Sequence, residues 1–156
     1  MTFMLIFANK NLCFASFFIM KVITDFVEVR SSKRGEYIDI TSQMQKIVEK
    51  SGIKNGILVM HEVHTTAALT IQENDSSIHE DTKEILEEII PLNKQYRHSY
   101  EGNENATAHI KNQLLGSSIA LPIINGKLAL GTWQSIFLIE LFEPRKRKIA
   151  VCIIGE

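Results

Sequence analysis

Short apolar runs, cut off by turn residues, restrict the folding of this chain of 156 residues more than any other feature. Ile57–Met60 and Ala67–Ile71 are four and five residues long, which suits buried strands and is too short for a self-sufficient helix. The clearest punctuation is Asn125-Gly126, set between apolar runs at 117–124 and 127–131. A two-residue hairpin turn needs two left-handed residues, and Asn-Gly supplies them. Further strands are predicted over Val22–Val29, Tyr37–Ile40, 134–141 and 147–154, with Gly35 implying a hairpin between the first two. Helical spacing occurs in three places. Met44, Ile47 and Val48 follow Thr41 as a cap and precede Gly52. Ile78, Thr82, Ile85, Leu86 and Ile89 form one face behind a Ser77/Glu80 capping box, ended by Pro91. Ile110, Leu114 and Leu115 follow Asn105 as a cap, and Gly116 closes that helix. Strands outnumber helices and neighbours can pair through hairpins, so the fold class is α+β, with largely antiparallel sheets packed with a few helices.

Residues 1–20 stand apart. They hold 15 apolar side chains, among them Phe3, Phe7, Phe14, Phe17 and Phe18, and a single charge, Lys10. A membrane helix needs about 20 continuous apolar residues, and Lys10 breaks this stretch in the middle. A secretory signal carries its charge first and a small-residue cleavage site last, and this segment has neither. Residues 1–19 are therefore expected to be an extension from an upstream start, with one domain over 20–156. Seventeen Lys and Arg against eighteen Asp and Glu leave a formal charge of −1, which argues against a general nucleic-acid binder. Cys13 and Cys152 form no CxxC pair, so a disulfide scaffold is excluded and a reducing, cytoplasmic compartment is expected, without membrane attachment.

The candidates for chemistry are spread along the chain. No two of the five histidines, His61, His64, His79, His98 and His109, have the helical spacing of a compact zinc motif. His64 follows a buried strand, His98 sits in a polar stretch and His109 in a short helix, so these three imidazoles come from elements able to converge. On spacing alone, separate hydrogen-bonded histidines are the better reading. Glu73 and Asn74 close a strand, and Asp81 flanks the apolar face of the helix that follows, where a carboxylate can orient an imidazole or act as a base. Trp133 lies in a turn-like Gly131-Thr132-Trp133-Gln134 segment, where it can wall a pocket while Gln134 reads a ring edge. Arg145-Lys146-Arg147-Lys148 reads as solvated charge entering an edge strand. No phosphate loop, nucleophile elbow or dinucleotide fingerprint is present.

One ordered set of motifs resembles the YjbQ family. It comprises His64-Thr65-Thr66-Ala67-Ala68-Leu69-Thr70-Ile71, Glu73-Asn74, Asp81, Tyr96-Arg97-His98, Ala108-His109-Ile110-Lys111, Leu114-Leu115-Gly116-Ser117-Ser118, Pro122-Ile123, Gly126-Lys127-Leu128 and Leu130-Gly131-Thr132-Trp133-Gln134. The resemblance runs from about Met20 to Glu156. It implies a compact α+β domain, a homotrimer, and a pocket near the subunit interface. It further implies His64, His98 and His109 as ligands of a divalent metal, and their chemistry favours zinc or another transition ion over magnesium. Asp81 and Glu73 are the expected catalytic or orienting carboxylates, and Thr65, Asn74, Trp133 and Gln134 the expected substrate contacts. The activity implied is a secondary thiamine-phosphate synthase, which joins hydroxymethylpyrimidine diphosphate to a thiazole phosphate. A metal-dependent hydrolase and a non-enzymatic trimeric metabolite binder are the competing readings. The family has an Asp-rich approach to its Ala-x-Ala-His segment, whereas here Glu104 is the only acid between Gly102 and His109.

Overall fold

The computed structural model describes residues 3–6 and 17–156. The chain runs β1 (Phe3–Ile6), β2 (Phe17–Arg30), β3 (Tyr37–Asp39), α1 (Thr41–Ser51), β4 (Gly56–Glu62), β5 (Ala67–Glu73), α2 (Ser76–Ile89), α3 (Asn103–Leu115), β6 (Ser118–Ile124), β7 (Lys127–Leu128), β8 (Gln134–Glu140) and β9 (Lys146–Gly155). Two sheets result, ordered β1-β2-β9-β4-β6-β7 and β3-β8-β5. Every pairing in them is antiparallel, as the α+β reading required.

Period-two alternation decides which side chains meet. On β4, Leu58, Met60 and Glu62 point inward while Val59 and His61 point out. On β9, Arg147, Ile149, Val151 and Ile153 are the inward set. These rows pack against Leu69, Ile136 and Leu138 of the smaller sheet, and Met44 and Val48 of α1 close one end. The helices α2 and α3 lie over the other face of the smaller sheet, where Ala68, Ala108, Ile139 and Leu141 form a second cluster and His79 stacks on Tyr37.

Several local expectations are met. Gly52 ends α1 with φ 69°. Asn125 and Gly126 take φ 53° and 76° between β6 and β7, as an Asn-Gly hairpin requires. Others are corrected. The strands flanking Gly35 do not form a hairpin: β2 pairs with β9 and β3 with β8, so the chain changes sheets there. The hydroxyl of Thr41 accepts the Ile136 N–H at 2.8 Å instead of capping α1. Asp75, not Ser77, caps α2, and Glu80 pairs with Lys83. Of the expected apolar face of α2, Ile78, Ile85 and Ile89 are turned outward, the last two 53% and 64% exposed, while Thr82 and Leu86 are half-buried. The helix docks through His79 instead, because Tyr37 and Phe137 give that ring an aromatic seat. Gly102 precedes α3, and Asn105 is buried inside it. The strand β9 is central, between β2 and β4, so the basic run does not enter an edge.

The extension expected over 1–19 falls partly on residues 1–2 and 7–16, which lie outside the described residues. Phe3–Ile6 pairs with Phe17–Met20, and β9 takes up β2 only from Lys21 onward.

Candidate functional site

The site grows from the end of β4. Its inward row ends on Glu62, whose side chain is fully buried. The strand stops there, the chain turns through 63–66, and His64 lies back over the same carboxylate. Glu62 accepts the His64 backbone N–H at 3.0 Å through one oxygen and holds ring Nδ1 through the other. Burial pushes the Glu62 carboxyl above its ordinary range, against the pull of the His64 hydrogen bonds and the Arg147 charge. With Nδ1 occupied, Nε2 is the ring atom left for a ligand.

A second buried pair fixes the turn from behind. Arg147 forks onto both oxygens of Glu140 and donates to Thr66 Oγ1 at 3.0 Å and to the Thr66 carbonyl at 3.1 Å. Glu140 also accepts from Ser31 Oγ at 2.7 Å and from the Phe142 N–H at 3.0 Å. Every side-chain nitrogen and oxygen of this pair has a partner, so it rigidifies the turn. Removing one member of such a pair costs about 3–5 kcal/mol.

His64 and His109 line one cavity of about 380 Å³, together with Thr65, Asn105, Arg145 and Arg147. Asn105 is 6% exposed and its Oδ1 has no hydrogen-bond partner among the described residues. His109 also lines a neighbouring cavity of about 450 Å³ with Tyr96 and His98. The His98 and His109 rings meet edge to face with centroids 5.0 Å apart. The expected trio is thus arranged as a row, His64 to His109 to His98, with His109 in the middle. No group of three or more His, Cys, Asp or Glu among the described residues is close enough to share a metal ion.

The other expected site residues lie elsewhere. Glu73 pairs with Gln134, six positions along β5 from the Ala67–Glu140 pair beside the histidines. At about 3.3 Å per residue this is roughly 20 Å. Asn74 donates to Asp39 at 3.2 Å, the Gln134 side chain accepts the Gly131 N–H at 2.8 Å, and Trp133 is 72% exposed. Asp81 is exposed on α2 and lines neither histidine cavity. Within one chain, then, Asp81 and Glu73 do not orient His64; Glu62 does. The signal for Glu62 was the alternation Leu58, Met60, Glu62, which carries the inward face of a buried strand onto a carboxylate two residues before His64. The same alternation buries Arg147 between exposed Lys146 and Lys148. Thr65, expected as a substrate contact, lines the cavity that His64 lines.

The two-sheet fold, with His64 after β4, His109 on α3 and His98 in the loop before α3, makes this a small pocket-bearing α+β domain. Within that class the chain belongs to the family described as UPF0047 protein YjbQ-like, whose model matches residues 25–156. It is 44% identical over 137 residues to a UPF0047 protein of Methanothermobacter thermautotrophicus, covering 88% of this chain and 95% of that protein. It is 34% identical to the UPF0047 protein YugU of Bacillus subtilis, covering 83% of this chain and 97% of that one. A crystal structure of a YbjQ-like protein of unknown function from Sulfolobus solfataricus superposes with a TM-score of 0.82 at 42% identity, covering 88% of this chain and 99% of that chain.

Proposed function

We propose that the chain is a small-molecule enzyme that works by acid–base chemistry at His64. One observation carries this reading: Nδ1 of His64 is held by a buried carboxylate, while Nε2 is left for the cavity shared with His109. A carboxylate behind Nδ1 fixes the tautomer and stabilises the imidazolium that forms when Nε2 takes a proton. Glu62 therefore orients, His64 moves the proton, and Thr65 and Arg145 hold polar or anionic parts of the substrate. The family resemblance suggests thiamine-phosphate synthesis as the particular reaction. There the carbon–oxygen bond to diphosphate breaks as the carbon–nitrogen bond to the thiazole forms. Protonated His64 would supply a proton to the departing diphosphate, and Arg145 would share its charge.

The imidazoles suit zinc or another transition ion, but they offer two pairs that share His109 and not a set of three. Zinc titration is expected to give weak binding that His109→Ala removes, because that ring belongs to both pairs. His61→Ala should keep it, since His61 faces the other side of β4. Strong binding untouched by His109→Ala would take the histidines out of the metal reading.

The test of the enzyme reading is turnover of hydroxymethylpyrimidine diphosphate, with and without thiazole phosphate, by the full chain. His64→Ala should lower the rate by about 100-fold or more with the circular dichroism unchanged. Full turnover in that variant would overturn the proposal, and bound substrate without turnover would favour a metabolite-binding protein.

A further inference from the structure

The geometry points to a second ligand site, in the cavity between the turn preceding β3, α2 and α3, which binds a small anion with an aromatic or apolar body. This cavity measures about 230 Å³. Glu140 lines it, and Arg147, the partner of Glu140, lines the histidine cavity, so that buried pair is the partition between the two.

The head of the cavity is short of acceptors. Lys111 is 4% exposed, and its ammonium has three protons to place. Its one acceptor among the described residues is Glu87 Oε1, at 2.5 Å. The same oxygen accepts from Arg34 at 3.0 Å. The other Arg34 contact, to Glu104 at 3.7 Å, is too long for a hydrogen bond. Lys83 stands at the rim, paired with Glu80 at 2.6 Å. Side chains of Glu80 and Glu104 are 65% and 64% exposed, so water and salt screen both. The buried Lys111 therefore shares a single carboxylate oxygen with the quarter-exposed Arg34 and keeps unfilled donors, which is costly unless a further acceptor arrives.

The body of the cavity is of the opposite character. Leu86, Ile139 and Leu141 line it. The Tyr37 ring forms another wall, held from behind by His79 at a centroid distance of 4.1 Å and an interplanar angle of 8°. Gly35, at φ 71°, turns the chain so that Arg34 and Tyr37 flank the same space. Cations and a fixed aromatic wall lining one cavity, with Lys83 Nζ 5.9 Å from the Tyr37 ring centroid, match a carboxylate or phosphate ester on a ring-sized body. This inference stands apart from the acid–base reading of His64.

The experiment is calorimetric titration of the full chain with phenyl phosphate, benzoate and inorganic phosphate. Phenyl phosphate or benzoate should bind once per chain and more tightly than inorganic phosphate, and whichever is tighter identifies the headgroup. Arg34→Gln should weaken the tighter ligand about tenfold, the worth of one charged hydrogen bond. Glu87→Gln should strengthen it several-fold by removing the internal competitor, and His64→Ala should leave it unchanged. No binding at millimolar ligand, indifference to Arg34→Gln, or loss of binding in His64→Ala would each overturn the proposal. Weakening by Glu87→Gln equal to that by Arg34→Gln would do the same, since it would mark the cluster as a structural ion-pair network.

Discussion

Glu62 couples the chemistry of His64 to the stability of the fold. Burial raises its carboxyl above the ordinary range. Between that ordinary range and the raised value, the folded chain keeps a proton that the unfolded chain gives up. The advantage to folding is complete on the acid side and is lost as pH rises through this window. Glu62→Gln cannot ionise; its one oxygen can keep the His64 N–H, and its amide N–H can donate to Nδ1 of the neutral ring. Its urea midpoint at neutral pH should therefore equal or exceed that of the parent, with a flatter pH dependence on the acid side. A lower midpoint with the same slope would mean that the buried charge is not a burden. At this scale the spacing of the histidines pointed to separate rings, and the trio was singled out only by the family resemblance; His64 and His109 line one cavity. Their supporting groups were hidden: Arg147 sits inside a run of four cations, and Glu62 lies two residues beyond the strand read as Ile57–Met60.

Elements were legible where local chemistry dominates. The Asn125-Gly126 turn needs left-handed residues, and the sequence offers the pair best suited to it. The side on which α2 docks was not legible, because Ile78, Ile85 and Ile89 outscore His79 in hydrophobicity while Tyr37 and Phe137, distant in sequence, decide the matter. The first strand can be judged by its partners. It pairs with Phe17–Met20, ahead of the stretch that β9 holds. We propose that residues 1–19 are dispensable: a chain beginning at Met20 retains all ten β2–β9 pairs. It should melt within a few degrees of the full chain and give the same elution volume. Aggregation of the shorter chain would make the segment structural.

At the scale of the whole molecule, the partners of strands were the part hardest to read. Periodicity locates β2 and β9 but says nothing of their pairing, which joins one end of the described domain to the other. The same sheet leaves an apolar outer face, with Val22 42%, Phe26 56%, Ile57 39% and Ile124 55% exposed. Patches of this kind mark association surfaces. We propose that further copies cover it in a homotrimer. Light scattering at micromolar concentration should give about three times the 17.7 kDa of one chain, and Phe26→Glu should shift the population toward monomer; a monomer mass for the parent chain would contradict this. A different consequence follows from Arg147 and Glu140. They belong to different sheets, β9 and β8, and the Ser31 hydroxyl that donates to Glu140 comes just after β2. Neither sheet can bury its charge before the other has arrived. A molecule with one sheet formed would hold an ion without its counterion at the edge of an unfinished core, a state several kcal/mol uphill at roughly 3–5 kcal/mol per broken pair. The two sheets should thereby appear and disappear together, so that circular dichroism and Trp133 fluorescence are expected to melt in one coincident step.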